Sequence, residues 1–335
     1  MRILVTGGAG FIGSEFARMT LREHPEDSVI VLDRFTYAGN PRNLDPVRDD
    51  PRFRLVEGTI TDVDTVRPLA EASDVIVNFA AESHVDRSLE APGEFIQTDV
   101  YGTYVLLEAA RQSKHERFLQ VSTDEVYGDV ASGRSRESDA LLPRSPYSAS
   151  KAGGEMLVFA YRASYGVNAT ITRGSNTYGH HQYPEKIIPL FITNAIDDKP
   201  LPIYGDGSAV RDYMHVDDHS RGIDVALRQG DGVSEYNIGA GGEVNGVSVA
   251  DTVLRLLGKP ETLKQYVEDR LGHDRRYALD SSRLRALGWE PRIDFEGGMA
   301  ETVRWYVENE EWWRPLKSGA FWEFYQRNYR PLAVP

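Results

Sequence analysis

The opening stretch MRILVTGGAGFIG, residues 1–13, decides the fold. It runs a short apolar strand, Arg2–Thr6, straight into a turn with glycines at Gly7, Gly10 and Gly13. From Phe11 onward the spacing is helical. A turn this tight needs backbone without Cβ, because main-chain amides have to approach a pyrophosphate at the helix N-terminus. A second strand, Ser28–Asp33, ends in an acid twenty residues after Gly13. That is the separation at which a carboxylate meets the adenosine ribose hydroxyls. It repels a 2′-phosphate and favours NAD, while the adjacent Arg34 leaves an opening for NADP. A lone glycine motif is weak evidence. Strand, glycines, helix, second strand and acid in this order are much more specific.

Working outward, short β-branched runs recur at residues 53–57, 74–80, 118–122 and 168–173. Helical spacing fills 11–22, 94–113 and 147–165. This alternation predicts an α/β protein, a Rossmann-type doubly wound parallel sheet with helices on both faces. The run VIVNFAA, residues 75–81, has the continuous apolar character of a strand buried on both sides. Beyond Gly174 turn signals crowd in, as at Lys199-Pro200 and Gly205-Asp206-Gly207. The expected organisation is a dinucleotide domain over 1–174 that also carries the chemistry. A smaller mixed α/β lobe over 175–317 is partly interleaved with it, and an aromatic tail over 318–335 docks on the body.

Bulk properties bound the function. The 335 residues carry a formal charge of −13, which argues against nucleic acid as a partner. There is no cysteine, hence no disulfide, thiol nucleophile or cysteine metal site. No apolar run reaches membrane-spanning length, and the N-terminus lacks a signal-peptide layout. The expected location is the cytoplasm.

Two further stretches carry chemistry. VSTDEVYG, residues 121–128, sets Asp124 and Glu125 side by side where an apolar strand ends. Neighbouring strand residues face opposite ways, so the pair serves one site only if it lies on a turn beyond the strand. YSASK, residues 147–151, puts Tyr147 and Lys151 on one helical face. A lysine cation and an oxidised nicotinamide favour the phenolate, so Tyr147 could take a hydroxyl proton while hydride leaves the same carbon. His180-His181 and the histidines of MHVDDH (214–219) raise the question of a metal, but no helical His-Glu-x-x-His pattern occurs. The expectation is none.

With TGGAGFIG, Asp33, VNFAA, VSTDEVYG and YSASK in place, the chain resembles the extended short-chain dehydrogenase/reductase family. Thr123-Asp124-Glu125 is similar to the nucleotide-glucose 4,6-dehydratases within it, those acting on dTDP-glucose above all. LDRFTYAGN (32–40), AAESHVDRS (80–88), YPEKIIPLF (183–191) and VRDYMHVDDH (210–219) agree. The resemblance runs to about Lys317. It implies NAD as cofactor and a nucleotide-sugar substrate. The sugar is oxidised at C4, water is lost across C5 and C6, and hydride returns to C6. It assigns Asp124 as the acid and Glu125 as the base, an assignment the residues alone leave open. Thr123 is placed on the C4 hydroxyl, and Lys151 on the nicotinamide ribose.

The resemblance also implies cofactor contacts from Phe11, Ile12, Arg34, Thr36, Tyr37, Ala38, Gly39, Thr59, Ile60, Ala80, Ala81, Thr98, Ser122 and Thr177. Glu82 and Ser83 fall where cofactor and sugar are both touched. Asn176 and Arg211 are similar to diphosphate ligands, and Lys186, Ile187, Pro202, Ile203 and Tyr204 to the residues around the base. Asn245, Arg270, His273 and Tyr277 complete the substrate set. Departures are Thr59 and Asp99 where Asp and Asn are usual, and Thr177 where a second Asn is usual. The family further implies a homodimer pairing the helices at 94–113 and 147–165. UDP-glucose or another nucleotide sugar, a 4-epimerase or decarboxylase of the same fold, and a non-catalytic NAD-binding sensor are the alternatives.

Overall fold

The computed structural model describes residues 1–269, 273–329 and 331. The first half runs β1 (Arg2–Thr6), α1 (Phe11–Glu23), β2 (Ser28–Asp33), β3 (Phe53–Glu57), α2 (Val63–Glu71) and β4 (Val75–Asn78). Short helices α3 (Val85–Glu90) and α4 (Pro92–Phe95) lead into a π-helical stretch, Ile96–Gly102, and then α5 (Thr103–Ser113), β5 (Arg117–Thr123), α6 (Pro146–Tyr165) and β6 (Ala169–Gly174). The second half runs β7 (Asn176–Tyr178), α7 (Ile187–Ile196), β8 (Leu201–Tyr204), β9 (Val210–His215), α8 (Val216–Gln229), β10 (Glu235–Ile238) and β11 (Glu243–Asn245). It ends with α9 (Gly246–Leu257), β12 (Lys264–Val267), α10 (Ser282–Arg285), α11 (Phe295–Glu308), α12 (Glu310–Trp313) and α13 (Gly319–Asn328).

Seven parallel strands form the main sheet in the order β10-β6-β5-β4-β1-β2-β3. From β1 the chain winds one way through β2 and β3, then returns to the other side through β4, β5 and β6. The reversal leaves a crevice at the carboxyl ends of β1 and β4, where open α/β sheets bind ligands. Along β1, Ile3 and Val5 join Phe16, Val29 and Val31 in one core, while Leu4 joins Ile76, Leu106 and Phe118 in another. The period of two thus feeds a hydrophobic layer on each face. A third core around Phe191, Tyr306 and Trp313 holds the second half together. There the sheets are small, β11-β9-β7 and β12-β8.

The glycine turn sits at the crevice. A Cβ on Gly7 would lie 2.5 Å from the Ala80 backbone nitrogen, and Gly7 has φ +68°. Only glycine meets both conditions. One expected element is different: residues 94–113 are not one regular α-helix. The π-helical stretch between α4 and α5 passes Gly102 against Ile60, where a Cβ would come within 2.4 Å of the Ile60 side chain. The widened turn carries Asp99, buried and accepting the Ser150 hydroxyl at 2.6 Å. Such insertions concentrate at functional sites. Among the described residues no helix is long and apolar enough to cross a membrane.

Candidate active site

A cavity of about 310 Å³ opens at the crevice, and a second of about 170 Å³ continues from it between the two halves. Both are lined by Glu125, Asn176, Thr177, Gln182, Glu185 and Lys186. Of the groups expected to carry chemistry, Glu125 lines both spaces, while Thr123, Asp124, Tyr147 and Lys151 line the first.

The first cavity fits a dinucleotide. Gly7, Gly10, Phe11, Ile12 and Gly13 line it, and Gly10 caps α1 without a side-chain bond, leaving the helix N-terminus open to phosphate. A Cβ on Gly13 would sit 2.5 Å from the Gly7 carbonyl oxygen. Asp33 accepts the amides of Ala9 at 2.9 Å and Phe35 at 2.8 Å. Burial raises its pKa while these backbone bonds oppose the rise. Arg34, Thr36, Ala38, Gly39, Thr59, Ile60, Ala80, Ala81, Glu82, Ser83, Thr98, Ser122 and Thr177 line the same space. Tyr37 does not. Its ring packs under the Arg87 guanidinium at 3.9 Å and edge-on to Tyr183 at 5.4 Å.

The two acids lie on the 3-10 turn Asp124–Tyr127 directly after β5. Strand pairing ends with Thr123 opposite Gly174, which releases both side chains from the alternation of the sheet. Asp124 is 3% exposed; one oxygen accepts the Thr123 hydroxyl at 3.2 Å and the other, buried, has no partner. Burial and then the Glu125 charge push its pKa well up, which favours its protonated form. Glu125 is half-exposed. The turn is held from below by the buried pair of Arg173 and Glu155 at 2.6 Å, with Arg173 also donating to the Tyr127 hydroxyl at 2.6 Å.

Tyr147 and Lys151 come from the first turns of α6. Pro146 opens the helix, and Ser145 and Ser148 form a reciprocal capping box. Lys151 donates to the Val121 carbonyl at 2.7 Å; burial lowers its pKa and Asp99 opposes that. Burial, Glu125 and Asp99 push the Tyr147 phenol up, and the Thr123 hydroxyl is the group that pulls it down. Lys151 thus bonds the Val121 carbonyl and feels the Asp99 charge. The carboxyl of Asp99 is itself raised to about 6 by burial, against Lys151.

Lys186, Ile187, Pro202, Ile203, Tyr204, Arg211 and His273 line the second cavity. Arg211 is 7% exposed and fixed by the carbonyls of Val210 at 2.8 Å and Asp274 at 2.9 Å. Two expected residues do not reach the space. Asn245 accepts the Ser248 amide at 2.8 Å as the cap of α9, and the next residue, Gly246, lines the wall instead. Tyr277 is buried behind Arg211, 4.3 Å from its guanidinium, and donates to Asp274 at 2.5 Å. Arg270 lies outside the described residues. The sequence reading missed Glu185, Gln182, His219 and Tyr329. Glu185 pairs with Arg87 at 2.9 Å; its signal was the YPEK run. His219 bonds the Thr177 hydroxyl at 2.8 Å, and burial lowers its pKa to about 4, so it lines the first cavity as a neutral ring. Glu15, His180 and Asp217 approach within 4.8 Å of one another, and the Arg18 guanidinium stands 2.7 Å from Glu15 and 3.5 Å from His180.

Comparison with known proteins gives concordant results. The family described as GDP-mannose 4,6 dehydratase matches residues 4–302. A low-salt glycan biosynthesis protein, Agl12 of Haloferax volcanii, is 49% identical over 93% of the chain and its own full length. The dTDP-glucose 4,6-dehydratase of Streptomyces niveus is 46% identical over 95% of the chain and 96% of that protein. The structure of DesIV, a dTDP-glucose 4,6-dehydratase from Streptomyces venezuelae with NAD and dTDP bound, superposes with a TM-score of 0.93 at 49% identity. It covers 95% of this chain and all of its own.

Proposed function

Since the chain belongs to the GDP-mannose 4,6 dehydratase family, we propose that it is an NAD-dependent lyase that turns dTDP-glucose into dTDP-4-keto-6-deoxyglucose and water. The observation that carries this is the buried Asp124 beside the partly exposed Glu125 on the turn after β5, lining the same cavity as Tyr147. A plain 4-epimerase needs no such acid–base pair.

NAD, when bound, supplies the acceptor for the C4 hydride and gives that hydride back at C6. The chain supplies the proton transfers and the orientation. Tyr147, bonded to Thr123, takes the C4 hydroxyl proton. The resulting ketone acidifies C5, Glu125 removes that proton, Asp124 protonates the C6 hydroxyl so that it departs as water, and Glu125 gives its proton back to C5 as C6 is reduced. Neighbouring carboxylates separate their pKa values, which keeps one a donor and the other a base. Residues 1–174 carry cofactor and chemistry, and 175–317 hold the nucleotide through Arg211 and Lys186. Arginine suits diphosphate because its fork matches phosphate oxygens.

Incubation with NAD and, separately, dTDP-glucose and UDP-glucose, followed by mass spectrometry, tests this. Loss of one water from the dTDP sugar alone, with no net reduced cofactor, is expected. Loss from UDP-glucose alone moves the nucleotide choice, and no loss from either overturns the reaction.

The assembly in this reading is a cytoplasmic homodimer. Its support is an apolar surface on the π-helical stretch, α5 and α6, where Ile96, Tyr101, Tyr104 and Met156 are 41–54% exposed.

A further inference from the structure

The aromatic C-terminal arm has no part in the chemistry above, and the family match ends at residue 302. Its place in the fold is specific. Phe321 and Phe324 of α13 are buried. Phe324 packs on the Arg87 guanidinium at 4.6 Å and edge-on to His84 at 5.3 Å. Past the helix, Tyr329 brings its ring to 5.3 Å from that of Tyr204, tilted by only 33°, and Pro331 bridges to Val267 of β12. Tyr329 lines the second cavity.

Glu125 fixes the reacting end of that cavity, and Arg211 and Lys186 offer cationic groups along it. Tyr204, Pro202 and Tyr329 line the second cavity alone, whereas Glu125 stands where it joins the first. A nucleoside diphosphate sugar with its hexose at Glu125 therefore presents its base to this aromatic wall. We propose that Tyr329 is a substrate-binding residue. Through it the C-terminal arm completes the base end of the nucleotide-sugar site. The inference rests on the nucleotide-sugar reading of the site. Anchoring and contact are divided along the arm: Phe321 and Phe324 hold it to the body, while Tyr329 meets the ligand.

Tyr329→Ala and Tyr329→Phe in the full-length protein test it. The readouts are titration with dTDP and steady-state kinetics with dTDP-glucose, alongside melting temperature. An aromatic face against a base is lost in Tyr329→Ala, so dTDP affinity falls and KM rises about ten-fold or more, as base–aromatic stacking elsewhere predicts. The value of kcat stays within about two-fold, because no proton is handled there. Tyr329→Phe keeps the ring and restores affinity. Unchanged dTDP affinity in Tyr329→Ala, with an active wild type, overturns the role of the arm alone. So does a joint fall of kcat and melting temperature that Phe does not rescue. A wild type that binds neither dTDP nor UDP overturns the functional reading, and this inference with it.

Discussion

Asp124 and Glu125 are adjacent in the chain but live in different surroundings, and the difference is tertiary. The pairing was legible from VSTDEVYG. Which acid keeps its proton was not, because that depends on burial and on an oxygen left without a partner. Asp124→Asn and Glu125→Gln should each lower dehydration about 10²–10⁴-fold, the usual worth of a positioned acid or base. With Glu125→Gln, oxidation at C4 survives, so absorbance of reduced cofactor builds up on adding dTDP-glucose. Equal loss of that signal in both variants would contradict the assigned roles. Asp99 makes a separate prediction. In the fold its carboxyl titrates near 6, above its ordinary value of 3.8. Between those values the native state holds a proton that the unfolded chain has released. This residue's contribution to stability therefore falls as pH rises through that window. Asp99→Asn removes that slope. It also takes a negative charge away from Tyr147 and Lys151, so both limbs of the kcat–pH profile should move to lower pH. A profile unchanged from the wild type would show that Asp99 only fills space.

At the scale of the element, the helix that carries Tyr147 and Lys151 begins with a serine cap whose bond to Ser148 is 3.1 Å. Ser145→Ala should destabilise the fold by about 1 kcal/mol, the typical worth of such a cap. In thermal unfolding this reads as a drop of roughly 2 °C for a chain of this size. Gly13→Ala drives a Cβ into the Gly7 carbonyl and should abolish NAD binding in a titration. Binding at wild-type affinity would mean that the turn opens more easily than its packing indicates. The strands and most helices were legible because both periodicities are strong in the first half. The break at 96–102 was not. A π-helical turn keeps an apolar face nearly continuous, and the Gly102 it carries meets Ile60, far away in sequence. Asn245 was misplaced for a related reason. An asparagine before a helix is equally a cap and a ligand by composition, and here the Ser248 amide takes it.

For the molecule as a whole, the exposed Ile96, Tyr101, Tyr104 and Met156 belong to the proposed dimer face. Tyr104→Asp with Met156→Asp should shift the protein to monomer mass in light scattering, because a charge in an interface core must be desolvated. A dimer that persists would place the interface elsewhere. The doubly wound class was evident from the alternation of strands and helices. The meeting of the two cavities was not, since it depends on how the second half lies over the crevice. The path of the chain through the main sheet bears on synthesis as well as on the site. Strand β10 completes the edge beside β6, yet it emerges only after β7 to β9 and two helices have been made. Until then a nascent chain carries β6 as an open edge, with backbone donors and acceptors ready to pair with any other strand. The ribosome-bound intermediate is thus the state most exposed to misassembly, and a fragment that stops at Gly174 inherits that exposure permanently.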